Sequence, residues 1–344
     1  ICQQLYTMVD TMVVGQVAGV EALAALGAVD FLMWVVTGIS TGLTQGFSIQ
    51  LSQYYGAKDF DNLRKSLAHS YRLTAFIAAG VLILSQSFAS LVLTGLHTPS
   101  NIIGMSLLYL RIIFCGIPAT AAYNMFASAL RAMGNSKTPL TAMIIASVLN
   151  VSLDILFVAG FGWGVAGAAI ATVIAQSFSA VYCFLILRRI DIVHLTRADF
   201  MPASGMNARL MKLGIPVVFQ NIIIGVGGLV VQYVINGYGF LFVAGFTATN
   251  KLYGLLEMAA ISYGYAIVTY VGQNLGAGKI DRIRKGVRSS MLLSLLTSLI
   301  ISIAMFLFGK NILSLFISGE PQQTQQVPVS YTHLRAHETL MNLV

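Results

Sequence analysis

Two carboxylates stand in the middle of apolar runs, Asp10 in YTMVDTMVVG and Asp154 in LNVSLDILF. An ionisable group inside such a run costs several kcal/mol if the run crosses a membrane, and is a functional candidate by default. Tyr6 precedes Asp10 by one helical turn, and Asn150 precedes Asp154 by the same i, i+4 step. Each carboxylate therefore shares a helix face with a second polar side chain. Thr172, in GAAIATVIAQ, adds a hydroxyl. Brought together, these five would form an oxygen-rich cluster of two carboxylates, one amide and two hydroxyls. Two like charges buried side by side repel, so such a cluster favours taking up a proton or holding a Na⁺. The plainer alternative, that Asn150 and Thr172 only join helices, is also open at this stage.

Other polar residues are weaker candidates. Gln220 and Asn221 lie near the start of the seventh apolar run and could line a path. Lys251 and Glu257 lie within the eighth and are six residues apart, so they share no face and form no local pair, though either could face a cavity. Asp30, at the start of the second run, could simply reach lipid headgroups. Arg111 could pair with a carboxylate or reach an interface, and His69 is expected to be solvated near a membrane boundary. Cys2, Cys115 and Cys183 have no metal-like or paired spacing and are expected to be buried packing residues. Scattered Met and aromatic residues could offer a soft surface to flat cations, or simply pack. Neither P-loop nor Ser-His-Asp arrangement is present, which leaves enzymology without support.

The elements that must position these groups follow from composition. The chain has 344 residues, 57% of them hydrophobic and only 9% charged, far below the ~25% charged content of soluble domains. Apolar runs of membrane-crossing length recur throughout. About nine spans are expected, near 1–17 (incomplete), 31–51, 67–91, 106–129, 140–160, 165–187, 215–238, 244–271 and 287–308. Lys and Arg fall in alternate loops: Lys58, Arg64 and Lys65, then Arg131 and Lys137, then Arg188 to Lys212, then Lys279 to Lys285. The loops around Gly19, Pro99, Trp163 and Gly239 carry none. By the positive-inside rule the even-numbered loops face the cytoplasm, in a multi-pass protein of the cytoplasmic membrane. The same distribution explains the net charge of +8 without nucleic acid.

One loop occurs twice. SQYYGAKDFDNLRKS from Ser52 and GQNLGAGKIDRIRKG from Gly272 align without gaps and share Gln53/Gln273, Gly56/Gly276, Ala57/Ala277, Asp61/Asp281, Arg64/Arg284 and Lys65/Lys285. Six spans separate the copies, so both point the same way, and the ground plan is a parallel duplication. The longest polar stretch marks the boundary. It divides the chain into an amino-terminal lobe (1–190), an inter-lobe linker (191–212) and an incomplete carboxyl-terminal lobe (213–320). Residues 321–344 differ in composition from everything before them and are expected to be a non-native tail. Gly38 and Gly42, spaced i, i+4 in the second span, and Gly225, Gly227 and Gly228, clustered in the seventh, fit a moving bundle. Gly164, Gly167 and Ala168 allow close helix approach at the start of the sixth, and Pro118 and Pro216 can bend their spans.

VDTMVVG, SALRAMGNSKTPL, LNVSLDILF, GVAGAAIATVIAQ and YVGQNLGAGKIDRIRKG, in this order and spacing, resemble the multidrug and toxic compound extrusion family. The resemblance runs from Ile1 to about Gly319. It implies an all-α membrane fold of two parallel six-helix lobes, with about nine of twelve spans present here, around a central cavity. It further implies a monomer in the bilayer that exports small organic cations against Na⁺ or H⁺, without another cofactor. The family's amino-terminal cation site maps onto Asp10, Tyr6, Asn150, Asp154 and Thr172. Where some relatives carry an acidic residue early in the seventh span, this chain offers Gln220. A lipid-linked saccharide flippase of the same broad fold is the alternative, expected to line its cavity with several cations. A non-transporting membrane receptor or scaffold is a further one.

Overall fold

A computed structural model describes residues 2–313. The expected tail lies outside the described residues. Among those described there is no strand, only helices and short connections: α1 (Cys2–Val17), α2 (Val20–Gly27), α3 (Asp30–Gly56), α4 (Phe60–Gly95), α5 (Ile103–Cys115), α6 (Ile117–Ala132), α7 (Lys137–Asp154), α8 (Gly164–Leu187), α9 (Met206–Asn236), α10 (Phe240–Gly276) and α11 (Ile280–Leu313). Six stretches, each one long helix or two joined end to end, are apolar and long enough to cross a membrane. The α5–α6 pair, bent by 47°, makes a seventh. The remaining two expected spans coincide with α1, 16 residues long, and α10, 37 residues long. The protein is an all-α integral membrane protein.

Local chemistry places the breaks. The bend in the fourth span falls at Gly116, followed by Pro118 in the first turn of α6, where a missing N–H costs no helix bond. A side chain at Gly116 would strike Val173 of α8, so glycine also lets the elbow pack. Pro216 lies inside α9, which continues through it. After Asp154, α7 loosens into a π-helical turn, Ile155–Gly160. Such turns shift the register of the backbone ladder and concentrate at functional sites.

The duplicated loop folds the same way twice. Ala57, Lys58 and Asp59 donate N–H bonds to the carbonyls of Gln53, Tyr55 and Tyr54, and Ala277, Gly278 and Lys279 donate to those of Gln273, Leu275 and Asn274. The left-handed residue closing each turn is Lys58 (φ 59°) in one copy and Gly278 (φ 71°) in the other. Asp59 then caps α4, its side chain accepting from the Asn62 N–H at 3.2 Å. The two loops also meet. A β-carbon at Gly56 would collide with the Gln273 carbonyl, and one at Gly276 with the Gln53 carbonyl. This reciprocity, in which each partner presents the same patch, is the signature of a two-fold contact.

α9 lies along α3 with small residues in the seam: Gly38 against Asn221, Gly42 against Val218, Gly46 against Gly214 and Gly228 against Phe31. Such close approach substitutes van der Waals packing for the hydrophobic force that lipid does not supply. Three apolar clusters form the core among the described residues, the smallest around Leu23, Ile102, Ile235 and Val243. Of the larger two, one, around Phe47, Leu51, Leu63 and Leu130, occupies the end rich in Lys and Arg, called the basic end below. The other, around Leu93, Leu110, Phe114 and Ala168, occupies the opposite half.

The connection between α8 and α9 holds two 3₁₀ turns, Asp191–Val193 and Arg197–Phe200. It lies against α4, where His69 meets Asn207 Oδ1 at 2.7 Å through Nδ1 and the Met201 carbonyl at 3.1 Å through Nε2. His69 is therefore 2% exposed rather than solvated, because the connection folds back over it. Arg72 donates to the Phe200 carbonyl at 2.9 Å. Cys183 is buried as expected, but Cys115 is exposed, with its Sγ accepting from Gln86 at 3.3 Å. The bend at Gly116 turns it outward.

Candidate functional site

α1 packs against α7 and α8 and brings the carboxylates together. Asp10 is 3% exposed, and Asn150 and Asp154 are fully buried. Asp10 and Asp154 lie close enough for their charges to act on each other. Asn150 Nδ2 reaches Thr172 Oγ1 at 3.5 Å, the limit of a hydrogen bond. Neither carboxylate oxygen of Asp154, nor Oδ1 of Asn150, has a hydrogen-bond partner among the described residues. Three buried oxygens without donors form a poor resting place for negative charge and a good one for a cation. Tyr6 lies on α1 one turn before Asp10, but its side chain is outside the described residues.

Asp10 and Thr172 also line a cavity of about 550 Å³ enclosed chiefly by α1, α3, α6, α7 and α8, with Ser262 and Tyr265 entering from α10. That volume suits a drug-sized solute. Asp154 and Asn150 do not line it, so the cluster opens onto the cavity through Asp10 and Thr172. Thr37, Thr41 and Thr44 of α3 face Thr120, Asn124 and Ser128 of α6 across it. Asn124 Nδ2 donates to Thr41 Oγ1 at 3.2 Å and fixes the register of the two helices. Thr37 and Thr41 donate their own hydroxyl protons back to the carbonyls of Met33 and Thr37, at 2.6 and 3.0 Å. With those protons committed, the Thr37 and Thr41 hydroxyls can offer this wall only acceptors, as Thr41 does to Asn124.

The remaining sequence candidates divide. Asp30 lines the cavity rather than reaching the headgroups, since α2 runs end to end into α3 and puts Asp30 inside the apolar stretch Val20–Gly56 instead of at its end. Gln220 is exposed on α9 and is not among the lining residues. Asn221 is not either, because its Nδ2 donates to the Gly38 carbonyl at 2.9 Å and ties α9 to α3. Lys251 and Glu257 lie on α10, with side chains outside the described residues. Arg111 is exposed and makes no ion pair among the described residues. Sequence reasoning missed the Thr37/Thr41/Thr44 and Thr120/Asn124/Ser128/Arg131 rows. Their i, i+3/i+4 spacing was a legible signal, but Arg131 read as a loop cation.

The MatE family model matches residues 1–156 and 216–329. A probable multidrug resistance protein of Bacillus subtilis, YpnP, is 30% identical over 316 residues, 92% of this chain and 71% of that protein. The probable multidrug resistance protein NorM of Thermotoga maritima is 25% identical over 338 residues, 96% of this chain and 72% of its own length. Among solved structures, the outward-facing conformation of a multidrug resistance MATE family transporter matches with a TM-score of 0.80 at 22% identity, covering 95% of this chain and 73% of that one. The inward-facing conformation of such a transporter matches at 0.78 and 21%, covering 94% and 75%. Near-equal scores to both states fix the fold and leave the state open.

Proposed function

The chain belongs to the MatE family of membrane transporters, and on that premise we propose that it exports amphiphilic organic cations in exchange for Na⁺ or H⁺ by alternating access. The observation that carries this reading is the buried Asp10–Asp154 pair opening onto a polar cavity. On the outer side, an entering cation neutralises the pair, α1 shifts against α7 and α8, and the bound drug loses its electrostatic partner. On the inner side, release of that cation restores negative charge beside the acceptor wall, and a cationic drug binds again. Two lobes joined across α3–α9 and the crossed loops would rock about that seam, with the basic end facing the cytoplasm of a cytoplasmic membrane. Na⁺ and H⁺ both suit the cluster, since the Asp154 carboxylate, which has no hydrogen-bond donor among the described residues, accepts either.

Reconstituting the full chain in proteoliposomes tests the proposal. Ethidium exchange is followed under an imposed Na⁺ gradient and, separately, a pH gradient. Asp10→Asn is expected to abolish exchange driven by whichever gradient works, while the protein still inserts and elutes as a folded species. Gradient-driven exchange that survives in Asp10→Asn would sink the proposal.

A further inference from the structure

The cavity is not uniformly acceptor-rich. At its basic end the last turn of α6 sends Arg131 into the lining. The guanidinium is half-buried and donates to Ser128 Oγ at 3.1 Å. No carboxylate among the described residues pairs with it. The ion pairs found there belong to Arg64, with Asp61 and Asp199, and to His194, with Asp191. The groups that share the cavity with Arg131 at this end are neutral, among them Gln45, Asn124, Ser136 and Tyr265. They can hydrogen-bond but cannot cancel its charge. A guanidinium has five donors in a planar fork matched to a carboxylate, and one bond to Ser128 leaves most of them free.

The register of α3 and α6 places this charge far from Asp30. With Asn124 beside Thr41, Arg131 comes level with about residue 48 of α3, roughly 27 Å along the axis from Asp30. Acceptor-lined threonines fill the interval. The cavity is thus bipolar, negative toward Asp10 and Asp30 and positive at its floor. A purely cationic solute satisfies one end only.

We infer that Arg131 anchors a carboxylate on the transported amphiphile, so that the preferred cargo is zwitterionic rather than purely cationic. This rests on the export reading above and narrows its substrate class. Tyr265 comes from α10 and lies within the electrostatic reach of Arg131, so the anchor sits where the two groups of helices meet. Rocking them apart changes what surrounds the bound carboxylate, and only such a difference between states can drive release.

The test uses two dyes that differ in a single group, a rhodamine methyl ester (a cation) and the free acid obtained by hydrolysing it (a zwitterion). Binding of each to the purified full chain in lipid nanodiscs is measured by fluorescence polarisation. Arg131→Gln is expected to weaken binding of the free acid about ten- to a hundredfold, the range for losing a charged hydrogen-bonded partner. Binding of the ester stays within about twofold, which also shows that the variant is folded. Arg131→Lys recovers part of the loss, since a point charge replaces the fork. Equal loss for both dyes, or no loss for the acid, overturns the inference. Wild-type binding of the ester without the acid also overturns it and leaves the export reading standing. Failure of the wild type to bind either dye overturns both.

Discussion

Asp154 is fully buried with both oxygens lacking hydrogen-bond donors among the described residues. A residue so placed is retained against stability rather than for it. Asp154→Asn keeps the shape and removes the charge. The variant is expected to be more stable, by about 1–3 kcal/mol, and read as a higher melting temperature in detergent. It is also expected to lose ion-driven exchange. A lower melting temperature would mean that the native carboxylate holds a partner it needs. His69 illustrates the opposite case, a buried polar group with hydrogen-bonding neighbours on both sides of its ring, Asn207 and the Met201 carbonyl. It holds the connection between α8 and α9 and lies outside the cavity lining.

At the scale of elements, the crossed loops are the feature most open to test. Gly56 and Gly276 each face the carbonyl of the other loop's Gln, and Gln273 Nε2 further donates to the Ala132 carbonyl at the end of α6, at 2.8 Å. Gly276→Ala forces the ends of α3 and α10 apart at a cost of about 1–3 kcal/mol, as overpacking does. Spin labels at Lys58→Cys and Lys279→Cys should report a longer distance in that variant. Adding Gly56→Ala should cost less than the sum of the two singles, because one separation relieves both collisions. Full additivity would show that the two contacts are independent and would remove the two-fold reading of the crossing. The π-helical turn after Asp154 belongs to this scale as well. It lets α7 change register beside the carboxylate pair without ending the span.

At the scale of the whole molecule, coupling is a property of two sites sharing one set of states. On the proposed function, ion binding at Asp10–Asp154 and solute binding in the cavity would meet at Asp10, which is buried beside Asp154 and lines the cavity. The factor by which Na⁺ or H⁺ weakens dye affinity must equal the factor by which the dye weakens ion affinity. Calorimetric titrations in both orders on the purified protein should agree within error. A dye affinity indifferent to the ion would show that the two sites do not communicate.

Much of this was legible in the chain itself. Apolar run length, the placement of Lys and Arg, and the loop repeated 220 residues apart specified a duplicated helical membrane protein, because lipid permits few ways to satisfy a backbone. The i, i+4 pairs Tyr6/Asp10 and Asn150/Asp154 marked candidate faces, since helical periodicity is a local property. What periodicity cannot say is which faces meet. Only the tertiary structure turned Asp30 and Arg131 into one cavity, left Gln220 exposed, tied Asn221 to Gly38, covered His69 and crossed the two loops at their glycines. Those outcomes depend on the rotation and register of whole helices against one another. Many residues set that rotation together through the packing of small side chains, and no single window of sequence contains it.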